Sequence, residues 1–398
     1  MVTDEQMLRG FARCRDLRAL PMVHAENGDA VAAGQAAVFD GAGVGAPHGH
    51  ALSRPKGLEA EATSRALRLA AHVGAPLYVV HVMAGAAADE VGRARARGER
   101  AVGEAVAPGL ALDESRMWDA NWTVAAAHVM SPPLRAAEDR ARLRAALASG
   151  ELSVVATDHA AFNSTQKRSG LGDFRRIPNG IASIEERLHV AWTELVARAG
   201  LVTPEQFVGL VSANAARIFG AYPRKGRVAE GSDADVIVFD PRARHALSAE
   251  RHHSAVDVSV WEGYEAVGRV DVTVSRGRVA WEGGRLRVPP AGGGGRGEAA
   301  TADEYDASLA PGTGEFVPLP TGGAMYEGMG RRGLLSGGDG ASAAAAGSAA
   351  AAADEAGGRE AQRRRHPAWE AEFPYGPGAV MPPGCGDGTK AAAGVCAA

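Results

Sequence analysis

The chain has few cysteines and no long apolar run, the features that mark disulfide-rich, cysteine-zinc and membrane proteins. Only three of its 398 residues are cysteines, and none are in a CxxC spacing, which argues against a disulfide framework or a cysteine zinc site. No apolar run approaches the roughly 20 residues that a membrane-crossing helix needs. Charged residues interrupt the first 20 positions. We therefore expect no membrane anchor or signal peptide, and a cytoplasmic location.

An excess of basic charge is also absent. The formal net charge is -4, so the chain offers no broad basic surface to a nucleic acid or to anionic lipid. A small-molecule partner is the expectation that remains. What the chain does have is a hydrophobic content of 46%, which is ample for a buried core.

Three helix-to-strand steps along the chain each end in a polar residue. Helical spacing of apolar residues recurs over 4–18, 58–73 and 135–148. The short apolar strands that follow these helices end at His24, His81 and Asp158. Because the carboxyl ends of parallel strands converge on one mouth of a (β/α)₈ barrel, this recurrent placement predicts part of such a barrel.

The composition changes twice in the second half. Short strands separated by Gly and Asp turns predict a small β-rich appendage over 226–290. Residues 291–398 are rich in Ala, Gly and Ser and have too little apolar surface to offset chain entropy, so we expect a disordered tail. The predicted organisation is a partial barrel with the functional site over 1–225, then the appendage, then the tail.

His24, His81 and Asp158 are the candidate metal ligands. A neutral imidazole is a good ligand for zinc, and a carboxylate can bind a metal and also exchange a proton with water. Taken singly, each is equally typical of a hydrogen-bonded histidine or a helix-capping aspartate. Their joint placement at three strand ends favours the ligand interpretation.

The sequence around these residues resembles the dihydropyrimidinases, which are metal-dependent amidohydrolases. Two of the matching segments read VHAENGD at 23–29 and GHALSRP at 49–55. The others follow in family order: 78–83, 129–135, 157–159, 162–167, 173–180, 222–226 and 231–235. The resemblance covers about residues 1 to 290 and implies an amidohydrolase-type (β/α)₈ barrel with part of a β-sandwich.

The resemblance also implies a chemistry. It is the hydrolysis of 5,6-dihydrouracil or dihydrothymine to N-carbamoyl-β-amino acids, a step of pyrimidine catabolism, by a binuclear zinc-hydroxide mechanism. His24 and His81 match the histidines of the second metal, and Asp158 matches the aspartate that binds the first and carries the proton. Ser131 and Asn179 match positions that hold the polar edge of the ring, although both are also typical turn residues. A homotetramer is implied as well.

Parts of the family pattern are absent from this sequence. The pattern includes a His-x-His, a lysine that becomes carboxylated and a tyrosine after it, and residues 1–6 resemble the segment directly after that lysine. We therefore expect a truncated gene model or fragment, with a genuine short product as the alternative. At most one weakly bound Zn²⁺, and little activity without a partner that supplies the rest, are expected.

Three rival interpretations stay open. Non-catalytic relatives of the collapsin response mediator type keep the barrel but lose metal ligands, which the three retained ligands oppose. A zinc-binding scaffold without catalysis is viable for a shortened chain. Hydantoinases and allantoinases share the chemistry and are poorly separated by the sequence, although segments 173–180 and 222–226 favour dihydropyrimidinase over allantoinase.

Four other histidines are expected to play lesser parts. His159 follows Asp158 directly, and because adjacent strand residues point to opposite faces, we expect it beside the metal site and not on the metal. His50 is interpreted as a loop-packing residue. His252 and His253 are expected in a solvated loop of the appendage.

Overall fold

The computed structural model describes residues 1–287, residues 315–327 and the strand Gly394–Ala397. Four strands form a parallel sheet, and their order in space is their order in the chain. They are β1 (Met22–Val23), β2 (Leu77–Val79), β3 (Ala101–Val106) and β4 (Val154–Ala156). Consecutive parallel strands joined by helices are the expected order within a (β/α)₈ barrel, so the fold prediction is confirmed.

Helices connect and cover these strands. Some continue into short π-helical turns, at 37–41, 192–197 and 209–213, and 3₁₀ turns occupy 114–118, 168–170 and 174–176. The α-helices are α1 (Asp4–Leu17), α2 (Gly28–Ala36), α3 (Gly49–Leu52), α4 (Lys56–His72), α5 (Gly85–Ala96), α6 (Ala107–Ala111), α7 (Trp122–Ala127), α8 (Ala137–Ser149), α9 (Ser164–Lys167), α10 (Arg187–Ala191), α11 (Pro204–Val208), α12 (Asn214–Ile218) and α13 (Gly323–Tyr326).

The two faces of the parallel sheet belong to different parts of the core. Side chains alternate along a strand, so Leu77 and Val79 of β2 pack with the apolar faces of α4, α5 and α8 in the main core. Tyr78, between them, points to the opposite face. The apolar periodicity that predicts α4 and α8 therefore corresponds to one continuous layer of helices.

Strand β3 was not predicted from the sequence. Its residues are small and include Gly103, where an added Cβ would lie 2.6 Å from Leu152 Cδ2 and 3.3 Å from Val91 Cγ1. The close approach of α5 and of the chain entering β4 thus requires small residues, and these weaken the β-branched signal that marks a strand. A fourth helix-to-strand step, α5 to β3, lies between the second and third predicted steps.

The appendage is an antiparallel sheet, as its short strands and turns predict. The strands are β5 (Val236–Ala246), β6 (Glu265–Ser275), β7 (Arg278–Glu282), β8 (Arg285–Leu286) and β9 (Gly394–Ala397), in the order β8, β7, β6, β5, β9. Edge-to-face contacts of Trp192 with Phe207 and Phe239 join this sheet to the helical layer. The fully buried Trp261 donates its indole N–H to the Ala182 carbonyl at 3.1 Å.

Two pieces of the predicted tail are described. Within residues 315–327, Met325 and Tyr326 are buried on the sheet face that carries Tyr78. The Tyr326 hydroxyl donates to the Ala19 carbonyl at 2.8 Å, and Gly394–Ala397 pairs with β5. The rest of the segment predicted to be disordered lies outside the described residues. Among those described, no helix combines the length and apolar character of a membrane span.

Candidate metal and substrate site

His24 and His81 meet at the carboxyl ends of adjacent strands. His24 directly follows β1, and His81 lies two residues beyond the end of β2. The pairing of β1 with β2 brings these residues together although 57 positions separate them: His24 Nδ1 is 2.9 Å from His81 Nε2, and the ring centroids are 4.7 Å apart. The two predicted imidazole ligands are therefore neighbours.

Backbone strain marks two of the three candidate ligands. Among the described residues only four other than glycine have a positive φ, and His81 (φ 37°) and Asp158 (φ 47°) are two of them. The left-handed region is unfavourable for residues with a Cβ, so it persists where the surrounding structure enforces it, often at functional sites. Both residues leave their strands in this conformation.

The surroundings of His81 suit a neutral imidazole. Burial and the adjacent His24 lower the pKa of His81, while the charge of Asp158 opposes them. His81 Nδ1 is buried and has no hydrogen-bond partner. A buried ring nitrogen without a partner is costly unless something else satisfies it. The neutral imidazole is the form that binds a metal.

The candidate ligand atoms are not spaced as they would be around a bound ion. Within residues 1–287 and 315–327, no three His, Cys, Asp or Glu side chains are arranged to hold a metal. Around tetrahedral zinc, with Zn–N bonds of about 2.0 to 2.1 Å, ligand nitrogens lie about 3.3 Å apart. His24 and His81, at 2.9 Å, would have to separate by a few tenths of an ångström. The two imidazole nitrogens are thus close to the spacing of a pair of zinc ligands.

Glu104 on β3 is a site residue that the sequence interpretation missed. Its Oε1 accepts the backbone N–H of His81 at 3.2 Å, and its Oε2 accepts the hydroxyl of Tyr78. Burial raises the pKa of this carboxyl, and Asp158 adds to the effect. A lone carboxylate in the otherwise apolar segment 101–106 was the signal available. Glu104 holds the strained His81 backbone in place.

The segments of Ser131 and Asn179 are neighbours. Gly180 N–H donates to the Val129 carbonyl at 2.9 Å, and Lys167 Nζ donates to both the Val129 and Gly180 carbonyls, at 3.0 and 2.9 Å. The lysine, only 2% exposed, therefore fastens the two segments together. The Asn179 side chain is exposed and Ser131 is half-buried.

The Gly180 segment also reaches Asp158. Ala160 N–H donates to the Ile181 carbonyl at 3.1 Å, so the residues after Asp158 run beside those after Asn179. Gly180 has φ 155°, and a Cβ there would lie 2.5 Å from the Ala160 carbonyl oxygen, so only glycine allows this approach. The predicted ring contacts and the predicted carboxylate thus lie on adjoining segments.

The other histidines lie around this site or away from it. His159 Nδ1 accepts the backbone N–H groups of Ser183 and Ile184, at 3.0 and 3.2 Å, and its ring is thereby committed to that loop. His50 is 1% exposed and lies within hydrogen-bond reach of the residue before Ser131. His253 of the appendage is exposed and pairs with Glu185, which lies just before α10.

Comparisons with known proteins agree with this architecture. The chain is 49% identical to a dihydropyrimidinase of Arabidopsis thaliana over 293 residues, 74% of this chain and 55% of that protein. Identity to dihydropyrimidinase-related protein 5 of Mus musculus is 38% over 320 residues, 80% of this chain and 53% of that one. A D-hydantoinase structure from a Bacillus sp. aligns with a TM-score of 0.70 at 40% identity, covering 72% of this chain and 62% of that chain.

The matched region is only part of those proteins. The chain spans about half the length of the curated relatives it matches. The sequence pattern of the amidohydrolase family matches residues 2–280, which include both imidazoles, the carboxylate and most of the antiparallel sheet. The chain belongs to the amidohydrolase family.

Proposed function

We propose that this chain contributes metal and substrate ligands to a cyclic-amide hydrolase that opens 5,6-dihydrouracil or dihydrothymine. The observation that carries the proposal is the contact of His24 with His81 at the ends of adjacent strands, His24 Nδ1 lying 2.9 Å from His81 Nε2. The charge of Asp158 acts on the same imidazole. The similarity to a dihydropyrimidinase and to a D-hydantoinase supports the substrate class.

In this proposal His24 and His81 would hold one Zn²⁺, and Asp158 would hold the other ion of a binuclear site. A bound divalent metal would polarise the amide carbonyl and provide a nucleophile that is active near neutral pH. Ser131 and the Asn179 backbone hold the polar edge of the ring. As water adds to the carbonyl carbon and the ring C–N bond breaks, Asp158 accepts a proton from the water and donates it to the leaving nitrogen. The product is an N-carbamoyl-β-amino acid.

Zinc binding tests the ligand set. We expect the 398-residue chain, stripped with a chelator, to bind about one Zn²⁺ in a calorimetric titration. His24→Ala and His81→Ala should each weaken binding by more than about ten-fold, since each removes a ligand bond. The exposed His72 of α4 provides the control, His72→Ala. Unchanged affinity in both ligand variants would refute the assignment.

Ring opening is the second test. Dihydrouracil loses its ultraviolet absorbance when the ring opens, so hydrolysis can be followed directly, with hydantoin and allantoin as competing substrates. A chelator and Asp158→Ala should each abolish any turnover. Zinc binding with little or no turnover fits an incomplete binuclear set, whereas hydrolysis that a chelator does not affect would overturn the proposal.

The non-catalytic interpretation makes a different prediction. An interaction protein of the dihydropyrimidinase-related type has no need of metal, and its zinc affinity should not depend on His24 or His81.

We also propose a cytoplasmic homotetramer, which the cysteine usage and the family resemblance support. Sedimentation velocity tests the assembly, and localisation of the tagged 398-residue chain tests the compartment.

A further inference from the structure

His50 is the most enclosed imidazole near the substrate segments. It lies on the short helix α3 and is 1% exposed. Its two ring nitrogens both have protein partners: Nε2 is 2.8 Å from the Met130 carbonyl oxygen, and Nδ1 is 3.1 Å from Arg54 Nη1. A buried ring with both nitrogens engaged has one fixed orientation.

These partners determine where the His50 proton resides. A guanidinium can only donate hydrogen bonds, so Nδ1 must accept and is unprotonated. Nε2 therefore carries the proton and donates it to the Met130 carbonyl. Burial and the charge of Arg54 lower the pKa of His50 well below its usual value, which keeps the ring neutral. The tautomer is thus fixed by the arginine.

The same geometry leaves the hydroxyl of Ser131 available. Ser131 Oγ lies 3.5 Å from His50 Nε2, whose proton already points at the Met130 carbonyl at 2.8 Å. A contact at 3.5 Å with a committed donor is weak. The imidazole thus fixes the backbone directly before Ser131 without capturing its side chain.

The contacts continue from His50 to the candidate metal. Arg54 Nε lies 3.6 Å from Glu26 Oε1, and Glu26 Oε2 is 3.0 Å from His24 Nε2. Burial alone would raise the pKa of Glu26, but the hydrogen bond with His24 and the charge of Arg54 lower it overall. One chain of polar contacts therefore links the metal ligand His24 to the backbone at Met130.

We propose that His50 is a positioning residue, which holds the Met130 carbonyl so that Ser131 presents its hydroxyl to the ring of the substrate. The proposal rests on the proposed function for the identity of the substrate, whereas the hydrogen bond between His50 and Met130 is independent of it. It assigns to His50 a specific hydrogen-bond donor at Nε2, so two amide substitutions should separate its role from simple packing.

His50→Gln and His50→Asn are the matched variants, made in the 398-residue chain. A glutamine amide reaches about as far as Nε2 and can still donate to Met130, whereas an asparagine amide reaches only the position of Nδ1. With Zn²⁺ present, we expect His50→Asn to weaken dihydrouracil binding about ten-fold, the effect of losing one well-placed hydrogen bond. His50→Gln should stay within about three-fold of wild type. Zinc affinity is measured in both variants, so that a change in ring binding is separated from a change at the metal.

Nitrogen-15 NMR tests the geometry without any ligand. In the wild-type chain His50 should show a protonated Nε2 and an unprotonated Nδ1, and the Ser131 amide resonance should move in His50→Asn but not in His50→Gln. A protonated Nδ1 would overturn the proposal even if both variants fail to fold. So would a folded His50→Asn variant with unchanged Ser131 resonance and dihydrouracil affinity.

The two proposals fail in different ways. If the wild-type chain binds neither Zn²⁺ nor dihydrouracil, the proposed function fails, while the His50 tautomer and the Ser131 resonance still decide the positioning role. If ligand and metal bind as proposed but the two His50 variants are equivalent, only the positioning role fails.

Discussion

Arg135 and Glu59 form a buried ion pair directly behind the segment that carries His81. Arg135 Nη2 donates to Glu59 Oε2 at 2.7 Å, and both side chains are less than 10% exposed. Glu59 Oε1 also accepts the backbone N–H groups of Met83 and Ala84, each at 2.8 Å. The carboxylate thus anchors the chain just after the candidate metal ligand.

Loss of this ion pair should strongly destabilise the fold. Arg135→Met leaves Glu59 buried and uncompensated, and breaking a buried pair in this way typically costs about 3 to 5 kcal/mol. We expect a fall of that size in the free energy of unfolding, measured by urea denaturation. Arg9→Ala, which breaks an exposed pair with Glu5, should cost less than about 1 kcal/mol. Equal effects of the two changes would contradict the buried role of Glu59.

Lys167 should make stability depend on pH. Burial lowers the pKa of this lysine to about 7, so the folded state resists its protonation. The unfolded chain binds the extra proton between pH 7 and 10.5, and stability rises with pH over that window by up to about 1.4 kcal/mol per unit. In Lys167→Met this contribution is lost. Urea denaturation of the wild type and Lys167→Met at several pH values measures the difference. A difference that does not depend on pH would contradict the lowered pKa of Lys167.

Glu186 should make the stability of the fold decrease as pH rises. This carboxyl is 4% exposed, and burial raises its pKa to about 7. The folded state therefore holds a proton that the unfolded chain releases above pH 4.5, so stability is lost as pH rises from there to about 7. Relative to Glu186→Gln, the wild type should weaken across this window by up to about 1.4 kcal/mol per unit. Glu250→Gln, at an exposed carboxylate, is the control for the same measurement.

Tyr78 should stabilise the Glu104 carboxylate. Its hydroxyl donates to Glu104 Oε2, while Oε1 accepts the His81 backbone N–H. Tyr78→Phe removes one donor from a buried acceptor, which should cost about 1 to 3 kcal/mol. The half-buried Tyr222→Phe serves as the matched control in urea denaturation. A cost no larger than that of the control would mean that Glu104 does not depend on the hydroxyl.

Much of this architecture is determined by local sequence. Apolar spacing predicts α4 as 58–73 and α8 as 135–148, and these helices span Lys56–His72 and Ala137–Ser149. Polar residues at strand ends identify His24, His81 and Asp158 as candidates. Helical and strand periodicities are local properties, and so are readable without knowledge of the fold.

Other features are decided only by the tertiary structure. The small residues of β3 are required because α5 packs closely against Gly103. Glu104 can hold the His81 backbone only because β3 places it beside His81. His50 packs against the loop at Met130, and that partner lies 80 positions away in the sequence. Sequence supplies the chemical groups, but hydrogen bonds and burial between distant segments fix their orientation, tautomer and pKa, because these depend on atoms that only folding brings together.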